Sequence, residues 1–369
     1  MASPEKHAER RRRAAAALAG LSADALLVTS LPNLRYLTGF SGSAAMLLLQ
    51  PEKGTLITDS RYVLQAESEA RGLELVRTRD GYERTVTEEV GVRGIRRLAY
   101  EAAHLRVSQH QFLASSAAGA FELVSSHGVV EELRLLKDPE EAALLRRAAA
   151  GLQSVLGEWR KHLAPGVREL DLAAELDYRL RRSGFERVAF ETIVASGERS
   201  ALPHGRPTVR ALGPGDLVVV DFGGIWGGYA SDMTRTFSIG PPKPAARQIY
   251  EVTADAQQAA LNQVRPGISA GAVDRAAREV IEAAGYGEFF GHGTGHGLGL
   301  EVHEPPWIRA GAEQVLQPGM AFTVEPGIYL PGSGGVRLED DVLVTENGAE
   351  VLTRESSRDG SLRDFPWVC

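Results

Sequence analysis

Two stretches of this chain are written in one pattern, and that repetition constrains the fold more than any other feature. Leu212, Pro214, Gly215, Asp221 and Gly223 recur 104 positions later as Leu316, Pro318, Gly319, Glu325 and Gly327. Gly227, Gly228 and Asp232 recur 107 positions later as Gly334, Gly335 and Glu339. Each copy reads as a Pro-Gly turn, an apolar run suited to a buried strand, and a carboxylate where the run ends, with a second carboxylate after a Gly-Gly pair. Upstream of each copy lies a matching helix: residues 164–185 pair with residues 265–286, both opening on a Pro-Gly turn and continuing with helical periodicity. The expected C-terminal domain is therefore two α+β half-units, strands inward over a central site and helices outside. Packed face to face, the halves bring Asp221, Asp232, Glu325 and Glu339 together. Unpaired buried carboxylates are costly, so this arrangement calls for a cationic partner.

Each half forms its own hairpin-like pair, FGGIWGGYAS supplying the turn between Asp221 and Asp232, and Glu325 and Glu339 are expected to repeat that placement. Further candidate ligands lie in GHGTGHGLGLEVHEPP, residues 291–306. Glycine at every second position from 291 to 299 excludes a helix and fits a backbone pressed close to a metal or substrate, so His292 and His296 are not a helical zinc pair. One or two imidazoles against four carboxylates make a hard, oxygen-rich set. It suits two divalent ions about 3.5 to 4 Å apart, Mn²⁺ foremost with Co²⁺ or Zn²⁺ as alternatives, and hydrolysis by a water acidified between them. There is no GxSxG elbow, no P-loop and no complete dinucleotide fingerprint.

The length of 369 residues favours two domains. Residues 24–124 alternate strand-like runs (ALLVTS, AAMLLLQ, GTLITD, LELVRT, RLAYE, FELVSS) with Ala-rich helical ones, as in a smaller α/β domain, the second and third runs forming a hairpin. KDPEEAALL opens a long helix with an Asp-Pro start signal, which sets the boundary at residues 134 to 138 and the domains at 1–134 and 135–369. Arg10 to Arg13 before AAAALAG imitate a secretory signal, but Ser3-Pro4-Glu5 reads as a helix start and the segment as a first helix with a solvated basic face. By composition Asp59-Ser60-Arg61-Tyr62 is a helix start capped by Asp59 with Arg61 on the surface. A net charge of −7 and a pI near 5.8 argue against nucleic-acid or anionic-membrane partners. No apolar run reaches the roughly 18 to 20 residues of a membrane helix. The single cysteine, Cys369, excludes a disulfide framework and fits a reducing, cytoplasmic setting.

VVVDFGGIWGGYASDMTRTF, GHGTGHGLGLEVHEPP, FTVEPGIY and GVRLEDDVLVT resemble the pita-bread metallopeptidases, the group holding methionine aminopeptidase, prolidase and aminopeptidase P. The resemblance covers the chain from about Lys137. It implies the metal ligands Asp221, Asp232, His296, Glu325 and Glu339. TGFSGSAAMLLL and TDSRYVLQA resemble the creatinase-like N-terminal domain of aminopeptidases P, whose small prokaryotic members this chain is similar to. The resemblance implies an α+β protein, a creatinase-like α/β domain before a duplicated pita-bread domain. It further implies an Xaa-Pro aminopeptidase, a homodimer acting on peptides with proline in second position. Glu325 would shuttle the proton, His292 and His303 hold the carbonyl and oxyanion, His204 line the proline side, Arg337 orient a ligand carboxylate, and Asp59, Arg61 and Tyr62 bind substrate. A prolidase shares every metal ligand but needs a cationic group or closing loop for a dipeptide's free carboxylate. A metal-free creatinase-type hydrolase and a non-catalytic binding protein fit the full ligand set less well.

Overall fold

The computed structural model describes residues 3–117, 119–354 and, as backbone, 367–368. Cys369 lies outside the described residues. The chain divides into two compact units, Met1–Arg134 and Leu135–Cys369.

The N-terminal unit runs α1 (Pro4–Leu21), β1 (Ala25–Val28), α2 (Leu31–Thr38), β2 (Ala45–Leu49), β3 (Gly54–Thr58), α3 (Val63–Glu69), β4 (Glu74–Arg77), α4 (Tyr82–Val92), β5 (Arg97–Glu101), α5 (Val107–Ala117), β6 (Glu122–Ser126) and α6 (Glu131–Arg134). All six apolar runs read from the sequence form strands, in the order β4-β3-β2-β1-β5-β6, every neighbour parallel except the antiparallel β2. β2 and β3 make the expected hairpin. Ser3 caps α1 by accepting from the Lys6 amide, but the solvated basic face is only half right. Arg10 and Arg11 are buried, donating to the Tyr36 and Leu37 carbonyls, with the Arg10 guanidinium over the Tyr36 ring; Arg12 and Arg13 are exposed. A guanidinium can be buried where carbonyls and an aromatic face replace its water. Asp59 likewise departs from its expected role as a helix cap. α3 starts later, with Tyr62 at its cap position, and Asp59 accepts from the Arg61 amide and from Nε and Nη2 of its guanidinium.

The second unit contains α7 (Pro139–Trp159), α8 (Glu169–Arg182), β7 (Arg187–Val188), β8 (Ile193–Ser196), β9 (Leu217–Trp226), β10 (Tyr229–Ile239), α9 (Pro244–Gln263), α10 (Ala270–Ala283), β11 (Gly295–Gly297), β12 (Glu304–Ile308), β13 (Ala321–Val324), β14 (Gly327–Leu330), β15 (Gly334–Arg337), β16 (Asp340–Thr345), β17 (Gly348–Val351) and β18 (Trp367–Val368), with short 3₁₀ turns between some of them. α7 begins on a complete capping box, Asp138 accepting from the Glu141 amide and Glu141 from that of Asp138. The duplication is visible bond by bond. The Gly166 amide donates to Leu212 O and the Gly267 amide to Leu316 O; Leu212 then donates to Val167 O as Leu316 does to Ile268 O. Each half has its own core. In one, Leu152, Trp159 and Leu176 of the helices meet Val218, Phe222 and Phe237 of β9 and β10; in the other, Ala256, Val273 and Ile281 meet Phe322, Val336 and Val342. Burial of these apolar faces, at about 25 cal/mol per Å² removed from water, holds each helical layer against its strands. Among the described residues no helix is long and apolar enough to cross a membrane.

Candidate metal centre

Asp221 and Asp232 reach the site from adjacent antiparallel strands, Asp221 opposite Thr234 and Asp232 opposite Gly223. The other half does not repeat this placement. Glu325 lies between β13 and β14 and Glu339 between β15 and β16, at interruptions where Val324 pairs with Asp340 and Gly327 with Arg337. The Glu325 amide donates to Thr294 O, next to β11 of its own half, and that of Glu339 crosses to Thr234 O in the first half. His296 arrives on β11.

Ligand-type atoms of Asp232, His296 and Glu339, all buried, lie within 4.8 Å of one another. His296 Nε2 is 3.9 Å from Asp232 Oδ2 and 3.3 Å from Glu325 Oε1. Its Nδ1 faces the Gly297 carbonyl at 3.1 Å. A carbonyl only accepts, so Nδ1 carries the proton and Nε2 turns a lone pair toward the carboxylates. Burial lowers the pKa of His296, which favours that neutral form. Asp221 Oδ1, Asp232 Oδ1 and Glu339 Oε1 are buried without a hydrogen-bond partner among the described residues. Burial, then the neighbouring carboxylates, pushes Asp232 and Glu339 well above the usual carboxylate range. Glu325 is raised by burial against the lowering influence of His292 and Arg337. Orphaned oxygens, a lone pair and mutually repelling carboxyls within ligand-to-ligand reach are a donor set that fits a divalent cation.

The surrounding contacts orient these donors. Thr234 Oγ1 donates to Glu339 Oε2 at 2.6 Å, and Thr323 Oγ1 to Glu325 Oε1 at 3.1 Å. Asp341, pushed up to about 7 chiefly by burial, accepts from Ser231 Oγ and the Asp232 amide. Arg337 is buried and donates to Asp221 Oδ2 at 2.6 Å, to Pro203 O and to the Tyr329 hydroxyl. Burial opposes its charge, but Tyr329, Asp221 and Glu325 outweigh that and hold it protonated. His292 sits 2.9 Å from the same Tyr329 oxygen through Nε2, with Nδ1 against Gly293 O. Burial keeps His292 neutral, Arg337 can only donate, and so the Tyr329 proton goes to His292 Nε2. Both ring nitrogens of His292 are therefore engaged within the protein. His303 is half open to solvent, its ring 4.2 Å edge-on from that of His296.

Asp221, Asp232, His292, His296, His303, Glu325, Tyr329, Arg337 and Glu339 line one cavity of about 780 Å³, which His204 also lines, together with Phe190, Ile193, Pro203, Trp307 and Arg309. Arg206 stands in the same wall, paired with Glu191 at 3.1 Å. The glycine run meets the expectation in part: Gly291, Gly293 and Gly295 line this cavity, but the tightest contacts are with protein. A Cβ on Gly295 would overlap Thr323 O and one on Gly297 would overlap Pro305 O, so the backbone presses on neighbouring protein strands, while Gly291 meets open space. Asp59, Arg61 and Tyr62 lie in the N-terminal unit as a surface cluster: Arg61 pairs with Asp59 at 2.8 Å with its side chain 69% exposed, Tyr82 donates to Asp59, and Tyr62 bonds Ser43.

Sequence reasoning missed Tyr329, Thr234 and Asp341, and also Lys137. Lys137 and Glu304 form a buried pair at 2.8 Å, one residue from His303. Tyr329 in EPGIY and Asp341 in LEDD stood inside motifs already singled out, so adjacency was the available signal.

Comparison with known proteins agrees with this geometry. The model of metallopeptidase family M24 matches residues 143–346, and that of the creatinase/prolidase N-terminal domain residues 10–136. An uncharacterized peptidase of Bacillus subtilis, YqhT, is 40% identical over 90% of this chain and 94% of its own. The solved structure of an Xaa-Pro dipeptidase from Bacillus anthracis is 37% identical, with a TM-score of 0.93 over 98% of this chain and 100% of that one. That of an X-Pro aminopeptidase from Thermotoga maritima is 36% identical, with a TM-score of 0.86 over 94% of this chain and 98% of that one. The α+β architecture expected from the motifs, a creatinase-like domain before a pita-bread domain, holds. With its family model spanning more than half the sequence and its relatives matched along nearly their full length, the chain belongs to metallopeptidase family M24, a family of divalent-metal peptidases.

Proposed function

We propose that this peptidase cleaves the bond before a proline in second position, with Asp221, Asp232, His296, Glu325 and Glu339 holding two divalent ions, manganese foremost. The observation that carries the reading is the convergence of Asp232, His296 and Glu339 at the floor of a cavity walled by Phe190, Ile193 and Pro203, apolar surface suited to a pyrrolidine ring. The Xaa-Pro part draws on the names of the Bacillus anthracis and Thermotoga maritima proteins. Divalent ions supply the Lewis acidity that makes water nucleophilic near neutral pH and positive charge where the carbonyl oxygen becomes negative. Glu325 takes the proton of the attacking water and returns it to the departing proline nitrogen. His303, open to the cavity, donates to the developing oxyanion, and His204 lines the proline side. His292, held by Tyr329 and Gly293, orients Tyr329 and, through it, Arg337 and Asp221. Asp59, Arg61 and Tyr62 are assigned to substrate binding and a homodimer to the working state, both from family resemblance.

The volume of about 780 Å³ admits a chain continuing beyond the proline, which supports the aminopeptidase form. The dipeptidase form has its own support, because Arg309 and Arg206 put cationic groups in the wall where a dipeptide carboxylate needs one. Hydrolysis of Xaa-Pro, its C-terminal amide and Xaa-Pro-Xaa, measured side by side, separates them. Cleavage of the tripeptide at a rate matching or exceeding the dipeptide is the aminopeptidase outcome. Loss of activity on the amide and tripeptide is the dipeptidase outcome, and cleavage of none of the three defeats the proposal.

A further inference from the structure

The N-terminal unit contains a crevice none of whose lining residues has a role in the proposed peptidase reaction. Its sheet is parallel apart from β2, so the carboxyl ends of β1, β3, β4 and β5 share one edge. From β1 the chain goes by way of α2 to β2 on one side; from β5 it goes by way of α5 to β6 on the other. Diverging connections leave a gap above two adjacent strands, which is where open α/β sheets take their ligands. A cavity of about 450 Å³ lies there, lined by Thr29 and Ser30 after β1 and by His104 and Arg106 after β5.

Its chemistry is polarised. Leu31, Pro32, Ala45 and Met46 give an apolar side. Arg106 gives a guanidinium with no ion-pair partner among the described residues, while Glu131 stands 3.7 Å from His104 and Glu83 accepts from the Gln109 amide. Glu101, at the end of β5, is buried and takes the Thr29 and Ser30 amides and the Asn33 side chain, which fixes the turn after β1. Ser30 stands at the cap position of α2, yet its hydroxyl caps nothing, and its oxygen is buried with no hydrogen-bond partner among the described residues. A buried hydroxyl left unpaired costs free energy unless something else satisfies it.

We propose that this crevice is a second ligand site, taking a small organic carboxylate with a short apolar body. The carboxylate pairs with Arg106, the Ser30 hydroxyl bonds the ligand, and the apolar body covers Leu31 and Met46. The volume suits a molecule between an amino acid and a dipeptide in size. The crevice borders Asp59 and Tyr62 through Tyr82 and Ser43, but none of its own lining residues carries a role in the peptidase assignment.

Isothermal titration of the full chain with N-acetyl-L-leucine, N-acetyl-L-leucinamide and inorganic phosphate tests it, in the wild type and in Arg106→Ala. Saturable binding of one N-acetyl-L-leucine per chain is expected, with Kd below about 1 mM. The amide and phosphate should bind at least tenfold more weakly, and Arg106→Ala should weaken N-acetyl-L-leucine at least tenfold with an unchanged Tm. No saturable binding overturns the proposal. Equal binding of the amide removes the carboxylate, equal binding of phosphate removes the apolar body, and undiminished binding to Arg106→Ala places the ligand elsewhere; each likewise overturns it.

Discussion

In the first half of the catalytic unit, Asp221 and Asp232 sit inside β9 and β10, unbroken strands of 10 and 11 residues. In the second half, Glu325 and Glu339 sit where four short strands break off. The strand registers align the halves further: Ser196 pairs with Val218 as Gly297 pairs with Phe322, so His296 stands where the first half has Ala195. A duplicated frame thus carries unequal chemistry. The rigid hairpin supplies two short carboxylates with little freedom, and the interrupted half supplies the longer glutamates and the imidazole. Breaks in a ladder let a carboxylate approach from an angle that an unbroken strand denies it, and they leave room for a group that must move a proton.

If that division is right, the second half is the more sensitive. Glu325→Gln removes both a ligand oxygen and a proton carrier, and kcat on an Xaa-Pro substrate should fall by about 10²- to 10⁴-fold. Ala195→Gly, at the position in the first half that corresponds to His296, should leave kcat near the wild-type value. Near-normal turnover in Glu325→Gln would mean that the proton travels by another route. Arg337→Lys comes next, because a lysine cannot reach Asp221, Pro203 O and Tyr329 at once. Metal affinity or activity should drop about 10- to 100-fold, read by calorimetry and steady-state kinetics. An unchanged metal affinity together with unchanged activity would remove Arg337 from the account.

Much of this was legible in the sequence because the duplication repeats its glycines, prolines and carboxylates at fixed offsets, and these residues report turns and strand ends directly. The four carboxylates follow from such signals, the helix start at Pro139 from its Asp-Pro pair and the six N-terminal strands from their apolar runs, whereas His296 is set apart from His292 only by the family resemblance. Tyr329 did not, since a tyrosine after a proline-glycine turn reads as core until its hydroxyl is found between Arg337 and His292. Nor did the burial of Arg10 and Arg11, because local pattern cannot show that the Tyr36 and Leu37 carbonyls wait for them across the fold. The alternate glycines of residues 291–299 are legible as a close backbone approach, but their spacing does not show that the tightest neighbour, at Gly295 and Gly297, is a protein strand.

That neighbour gives a sharper test of the interrupted half. Gly295→Ala drives a methyl group into the Thr323 carbonyl and should cost roughly 1 to 3 kcal/mol of stability, seen in chemical denaturation. A variant as stable as the wild type would show that β11 yields easily. The carboxyls make a pH prediction. Asp232, Glu339 and Glu325 are raised in the folded protein and Asp341 reaches about 7. Over the window between the ordinary carboxyl range and those raised values, the folded state keeps protons that the unfolded chain has lost. Metal-free protein should therefore lose stability as pH rises from about 4 toward 7, and bound manganese should flatten that slope by taking the protons' place. Tm against pH, with chelator and with manganese, checks this; a metal-free Tm that rises across the window contradicts it.

The smallest structural effect belongs to Arg61→Ala, whose ion pair with Asp59 is exposed. Tm should not move measurably, whereas kcat/KM on Xaa-Pro-Xaa should fall about tenfold with metal content intact. A kinetically silent variant would leave Asp59, Arg61 and Tyr62 as a surface cluster only.

The most direct test of the account is a calorimetric titration of metal-free protein with manganese, followed at each addition by activity on an Xaa-Pro-Xaa peptide. Four carboxylates and one neutral imidazole ask for two divalent charges, so saturation at two ions per chain is expected, with activity rising to its plateau at the second. Full activity at one ion per chain, or activity that survives removal of all metal, would contradict it.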